Sequence, residues 1–496
     1  MSSTLLPLLR KAATQAPIVA GAVPPDSEID TMLDGLLRQT GAATGVTLLH
    51  RGLEAFMVRV FSARTAGRSL DLQYYRWSDD ITGGLMAREV LRAADRGVRV
   101  RMLLDDSYAL GVERRITLLS AHPRVEVRLF NTARLRWLGQ MGMGLEFALG
   151  GWHLNHRMHN KNWVADGKLA LVGGRNIADA YFDGAGDFNF RDLDMLIAGQ
   201  AASQAQGVFD SYWNSSLARP VERFRQAAGL SAEALAAFRA ELDSIPDSEV
   251  ARPYLKALSG TRAAMLNGDH HLLPAAETVR VLSDPPAKAK GRGVPGGMVP
   301  AIDAALRGAR EEALLISPYF VPGRAGMAMI EDLVRRGVRV GVVTNSLAAT
   351  DVVAVHSGYS RYRPRLLELG VDLYELKRSG RHGNGVFGSK GASLHTKAMM
   401  IDRKMVFVGS FNLDPRSANL NTEMGAFARH PGLAELLLRE HQRLTDPRRS
   451  YRLSRLPSGP LRWTDDQGTT TQEPEAPWTR RTLARLVQWL PLEAQL

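Results

Sequence analysis

Strand-like and helix-like periodicities alternate in this chain, and they do so twice. Residues 69–77 (SLDLQYYRW) are an apolar, aromatic-rich run of strand length; residues 85–97 (LMAREVLRAADRG) space their apolar positions as one face of a helix; VRVRMLLDD then returns to a strand pattern. The same succession recurs as EALLISPYFV (312–321), MAMIEDLVRRG (327–337) and VRVGVVTNS (338–346), with identical RGVRV pieces 240 residues apart. Strand, helical crossover and parallel strand is the repeating unit of an α/β sheet, and a second copy at long offset predicts a duplicated domain. The pattern divides into a helical N-terminal segment (1–45), a first domain (46–220), a helical connector (221–275), a second domain (276–445) and a tail ending in an amphipathic helix (446–496). In the connector, Ser231 followed by Glu233 and apolar spacing predicts a capped helix.

Composition adds class but little more. With 496 residues, 45% hydrophobic and 23% charged, the chain has ample material for two cores and lies far from the disordered class. A net charge of +12 predicts attraction to anions, whether lipid headgroups, nucleic acid or phosphate-bearing substrates. The absence of cysteine excludes thiolate chemistry and disulfides. No apolar run is long enough to span a bilayer, and Thr14, Gln15 and Pro17 make residues 12–23 a poor export signal, so the reading tilts toward a peripheral protein on the cytoplasmic face.

The chemistry is concentrated in two segments. HNKNWVADGKLALVGGRN carries His159, Lys161, Asp166, Gly173, Gly174 and Asn176, and HTKAMMIDRKMVFVGSFN carries His395, Lys397, Asp402, Gly409, Ser410 and Asn412, with every interval matched. One His-x-Lys-x4-Asp would arise by chance on the order of 0.01 times in a chain of this composition, and the matched pair is far rarer. On a strand, positions i and i+2 share a face, so each histidine projects beside its lysine. A phosphodiester repels ordinary nucleophiles; lysines neutralise its oxygens, one neutral imidazole can attack phosphorus, and a second, protonated, can donate to the leaving alkoxide. Neither half supplies two histidines, which predicts one composite site between the halves. His153, His156 and His159 recur at every third residue, but that is not a ligand pattern and Lys161 would repel a cation, so no metal is expected. His270 and His271 read as loop histidines.

These motifs resemble those of the phospholipase D superfamily. YYRWSDD, ADRGVRVRMLLDD, HPRVEVRLFN, RMHNK, VGGRNIADAYF and FNLDPRSANLNTEMG further resemble its bacterial cardiolipin synthases. The resemblance implies two fused, duplicated α/β/α domains with mixed, largely parallel sheets, and catalytic His159, Lys161, Asp166, His395, Lys397 and Asp402, the aspartates in the more structural role. It implies supporting Asn176, Asn412 and Ser410, and an acidic residue on each histidine: Glu423, and in the first half Asp192, with Asp194 and Asp187 as alternatives. An orienting carboxylate fixes the tautomer and frees the other ring nitrogen.

The implied reaction is phosphatidyl transfer without cofactor, from a donor phospholipid such as phosphatidylethanolamine to phosphatidylglycerol, giving cardiolipin at the bacterial inner membrane. His159 is taken as nucleophile and His395 as general acid, an order that the near-symmetry of the motifs leaves open. Hydrolysis to phosphatidic acid is the alternative, a nuclease the remoter one; no nucleic acid partner is expected. Two stretches suit an anionic membrane interface, residues 135–154 (LRWLGQMGMGLEFALGGWHL) and the C-terminal helix with Trp478 and Trp489; packing inside the protein is the competing reading. Residues 351–368, with His356, Tyr359 and Tyr362, are candidates for a headgroup pocket, an amphipathic helix with tyrosines packed inward and arginines outward being the competing reading; loops 284–298 and 378–393 are candidates for the active-site rim.

Overall fold

The computed structural model describes residues 27–109, 113–136, 139–149, 151–224, 231–267, 272–275, 279–291, 296–379, 386–387, 391–455, 459–490 and 493–495. The export-signal segment, His270 and His271, and parts of both rim loops lie outside the described residues.

Two sheets carry the fold. In the first, β1 (Ser69–Tyr74), β2 (Arg99–Asp105), β3 (Val125–Phe130), β4 (Asn162–Ala165), β5 (Leu169–Gly173) and β6 (Asp194–Gly199) lie in the order β6-β5-β4-β1-β2-β3. In the second, β7 (Glu312–Ile316), β8 (Arg339–Asn345), β9 (Asp372–Leu376), β10 (Ala398–Ile401), β11 (Met405–Gly409) and β12 (Met424–Arg429) repeat it as β12-β11-β10-β7-β8-β9. The duplication read from the RGVRV repeats is therefore a duplication of topology. Strand Thr44–Leu49 extends the first sheet beside β6, and Ser450–Arg455, in the tail, extends the second beside β9.

The sheets are mixed as expected, but the parallel share is smaller than expected. Only β1–β2–β3 and β7–β8–β9 pair in parallel, while the remaining neighbours within each sheet are antiparallel. The reason is local. The strand after each His-x-Lys motif reverses within three residues, and so short a connection can join only antiparallel neighbours.

Helix α1 (Ile81–Asp95) makes the first crossover. Asp80 caps it by accepting from the Gly83 amide, and Leu85, Met86, Val90, Leu91 and Ala94 bury one face on the sheet. Helix α2 (Gly139–Ala148) follows β3; α3 (Met298–Arg307) and α4 (Gly323–Arg335) cover the second sheet, α4 as its crossover; α5 (Val353–Ser360) follows β8, and α6 (Trp478–Gln488) lies in the tail. Ser231 caps helix Ala232–Ser244, which with Arg252–Asn267 packs on the helices of the first half.

The inner faces of the two sheets meet. Val164, Val172, Met195 and Ile197 from one side and Ile316, Met400, Val408 and Ala426 from the other share a buried apolar cluster. Such a contact, resembling a domain core more than a surface patch, holds the halves in fixed register. The site lies at the edge of this contact.

Candidate active site

Each motif strand enters the site by pairing with the opposite half. The His159 amide donates to the Thr422 carbonyl (2.9 Å) and the Thr422 amide to the Arg157 carbonyl (2.8 Å). In the mirror arrangement, strand Phe188–Arg191 runs parallel to Gly391–Leu394, and the His395 amide donates to the Arg191 carbonyl (2.7 Å). The residues that follow Thr422 and Arg191 are Glu423 and Asp192. Backbone pairing therefore delivers each carboxylate to the histidine of the other half.

His159 Nδ1 meets Glu423 at 2.9 and 3.0 Å, and His395 Nδ1 meets Asp192 at 2.6 Å, both pairs buried. With Nδ1–H committed to a carboxylate, Nε2 of each ring is left for chemistry. Asp194, an alternative to Asp192, instead holds Arg59 (2.9 Å) and Arg175 (3.3 Å). Glu423 is further fixed by the hydroxyls of Ser410 and Ser417, the latter at 3.0 Å, and its amide donates to Asp284 (3.0 Å).

The two halves differ where Gly174 stands opposite Ser410. A Cβ on Gly174 would come within 2.2 Å of Asp192 Oδ1, so the short aspartate occupies the space that a side chain would need. Glu423, one methylene longer, leaves room for a serine whose hydroxyl it accepts. Gly174→Ala is expected to displace Asp192 from His395 and lower kcat by at least about tenfold without unfolding the chain, measured by steady-state turnover beside circular dichroism.

Lys161 and Lys397 are buried, and each donates to the carbonyl of its own histidine, at 2.6 and 2.5 Å. Burial pulls Lys397 down to about 8 despite Asp192 and Glu423, and takes Lys161 well below the usual lysine range. Burial also lowers His159 to about 4 against the opposing pull of Glu423, with Lys161 and Lys397 adding to the fall. His395 is held well below 6.5 by burial, then by Lys397, Lys161 and His159. The two pairs thus act on each other as one electrostatic unit. Both imidazoles are neutral at neutral pH, as attack requires, and an incoming phosphodiester anion would raise the affinity of the second ring for a proton. Lys397 loses its charge as pH rises through about 8, and with it the stabilisation of an anionic transition state. kcat/KM, which reports the free enzyme, should accordingly fall about tenfold per pH unit above that point.

Asp166 and Asp402 do not join the histidines. Both have left-handed backbone (φ 53° and 51°) in the turn after the motif strand. Asp166 accepts from the amides of Gly67, Arg68 and Ser69, and Asp402 from those of Arg310, Glu311 and Glu312. They tie each hairpin to the start of the neighbouring strand, the more structural part that the resemblance implies. Asn176 accepts from the Arg76 amide and donates to the Tyr181 hydroxyl (2.9 Å), whereas the side-chain oxygen of Asn412 is buried without a partner among the described residues.

Several residues around the site were not singled out from the sequence. Tyr75 packs edge-on to His159 (5.2 Å between centroids) and lies under Lys161 Nζ (5.4 Å); Tyr181 and Phe190 pack on His395 (5.1 and 4.9 Å). Arg175 is buried and donates to the carbonyls of Asp192, Leu49 and His50. Tyr75, Arg175 and Tyr181 lie within stretches that carry the family resemblance, but only the fold shows what they touch. Residues 351–368 depart from the headgroup reading. His356, Tyr359 and Arg363 are buried in a network with Glu375 and Glu473, which anchors the tail, while Asp351, bonded to Tyr319 (2.8 Å), and Val352 stand exposed at the start of the segment. Of the three regularly spaced histidines, His153 faces Glu146 (3.4 Å) and His156 Nδ1 the Leu420 carbonyl (2.9 Å), so the three have different partners.

Residues 62–213 and 302–445 match the family model described as cardiolipin synthase, PLD-like domain. The chain is 39% identical over 472 residues to cardiolipin synthase C of Escherichia coli (strain K12), covering 92% of this chain and 97% of that one. It is 25% identical over 412 residues to a cardiolipin synthase of Geobacillus kaustophilus (strain HTA426), covering 80% and 65%. Among solved structures, phosphatidylserine synthase of Haemophilus influenzae Rd KW20 superposes with a TM-score of 0.60 at 15% identity over 91% of this chain and 95% of that one, a likeness of fold. The motifs fall inside the matched segments, and the two halves repeat one sheet topology around them: the chain belongs to the phospholipase D-like family of cardiolipin synthases.

Proposed function

We propose that this protein is a phosphatidyltransferase that makes cardiolipin from phosphatidylglycerol and a donor phospholipid such as phosphatidylethanolamine. The observation that carries the reading is the convergence of two histidine–carboxylate pairs and two buried lysines on one site spanning both halves. His159 Nε2 attacks the donor phosphorus; the P–O bond to the headgroup breaks as His395, which takes up a proton at Nε2 when the phosphodiester anion binds, passes it to the departing alkoxide. A phosphatidyl–histidine remains. His395 then takes the proton from the terminal hydroxyl of phosphatidylglycerol, whose oxygen attacks the same phosphorus and frees His159. Lys161 and Lys397 hold the non-bridging oxygens throughout, and Asp192 and Glu423 stabilise the imidazolium that forms beside each.

Peripheral membrane contact fits the apolar residues left in solvent. Helix α2 and the turn after it expose Met141 (81%), Leu149 (75%) and Trp152 (66%), and the tail exposes Trp478, Leu486 and Trp489 (87%), with Arg480, Arg481 and Arg485 on the same helix. Apolar side chains beside arginines suit an anionic headgroup layer. No described helix is long and apolar enough to cross a membrane. The deciding assay incubates purified protein with labelled phosphatidylglycerol, with and without phosphatidylethanolamine. Cardiolipin is the expected product; phosphatidic acid alone would make the enzyme a hydrolase, and no turnover would overturn both readings.

A further inference from the structure

Beside the reaction centre, between α3, α4 and the short helix Pro415–Asn419, lies a cavity of about 910 Å³ that the chemistry above does not use. Its floor is apolar: Ile302, Leu315, Phe320, Met329, Ile330 and Phe411. One wall is shared with the site, because Asp284, which accepts from the Glu423 amide, and Phe411, which follows Ser410, both line it. Its rim carries polar groups, among them His156, Lys288 and the exposed Arg324.

The cavity also adjoins the solvent-exposed apolar strip. Trp152 lies in the turn Trp152–Asn155, and the next residue, His156, is part of the cavity rim. Asn155 is bonded to Gln495 (2.6 Å) and to Arg416, in the helix whose Pro415 and Ala418 line the cavity. Trp152 therefore lies one short turn from the cavity rim at His156, with the reaction centre behind the shared wall. Lys288 is paired with Asp284 (2.7 Å), and Asp303 and Asp414 also line the cavity, so its character is set by the floor: a volume at the upper end of ordinary ligand sites and an apolar floor match a lipid tail better than a polar metabolite.

We propose that this cavity is an acyl-chain subsite: it takes a chain of the phospholipid substrate drawn from the membrane along the Trp152 strip and so sets the lipid's position at His159. The proposal rests on the phosphatidyl-transfer reading, and its test separates the two. Fluorescence of cis-parinaric acid is titrated with wild-type and His159→Ala protein, then with Val299→Trp and Ala325→Trp, which place indoles at exposed positions of the lining where the fold tolerates bulk. Saturable binding, displaced by dioleoyl phosphatidylglycerol, is expected in the first two, with affinity at least about tenfold weaker in the tryptophan variants. In parallel, the ratio of kcat/KM for dioleoyl over dihexanoyl phosphatidylglycerol should fall at least about tenfold in those variants. Cardiolipin formation by a wild-type protein that binds no parinaric acid saturably, or an unaltered ratio in both variants, would overturn the subsite. Saturable binding that both tryptophan variants weaken, in a wild-type protein that turns over neither lipid, would keep the subsite and overturn the transfer reading.

Discussion

His159→Ala and His395→Ala proteins are each expected to lose roughly 10³- to 10⁴-fold or more in cardiolipin formation while keeping their thermal stability. The size follows from the roles. Without an attacking imidazole no covalent intermediate forms, and without the second imidazole an unprotonated alkoxide must leave. Stability should hold because each ring, though buried, lies outside the apolar cluster between the sheets, which is untouched, and has its polar contact with a single carboxylate group. The two substitutions combined should cost little more than either alone, since the histidines act on one bond in one site. Chromatographic assay of labelled products, with melting curves for each variant, checks all three statements. Two independent sites would instead leave each single variant with about half the activity.

Glu423→Gln and Asp192→Asn should each lower kcat on the order of 10²-fold or more, and their spectroscopic effects should cross between the halves. In ¹⁵N-resolved spectra of the imidazoles, Glu423→Gln is expected to move the His159 ring signals, 264 residues away in sequence, and Asp192→Asn those of His395. An amide in place of the carboxylate can accept the Nδ1 proton but cannot stabilise the imidazolium, so kcat should suffer more than KM. A Glu423→Gln spectrum altered at His395 and not at His159 would show that the pairing is made within each half.

The crossed pairing marks where sequence reasoning reached its limit. Period-2 alternation predicts His159 beside Lys161 and His395 beside Lys397 on a strand, whereas both pairs lie in the segments just before β4 and β10; the repeat of β-α-β units anticipates a sheet order that recurs strand for strand. Those features are local or repeat along the chain. That Glu423 orients the first-half histidine is decided by Thr422 pairing with Arg157 and His159, a contact between segments with no sequence proximity and no periodic signature. The share of parallel strands was overestimated because the crossover units are conspicuous, whereas the tight Asp166 and Asp402 turns that force antiparallel neighbours look like ordinary loops. Residues 351–368 leave two readings open for a third reason. Histidine, tyrosine and arginine suit a headgroup pocket and a buried ion-pair network equally well, and their contacts with Glu375 and with Glu473, 110 residues beyond Arg363, distinguish the two.

The central claim is one site per chain, with one histidine carrying the phosphatidyl group. Rapid acid-free quenching with ³²P-labelled phosphatidylethanolamine as donor, followed by peptide mapping, tests it most directly. The account predicts at most one phosphatidyl–histidine per chain, located at His159 and absent from the His159→Ala protein; label on both His159 and His395 of the same chain would contradict it.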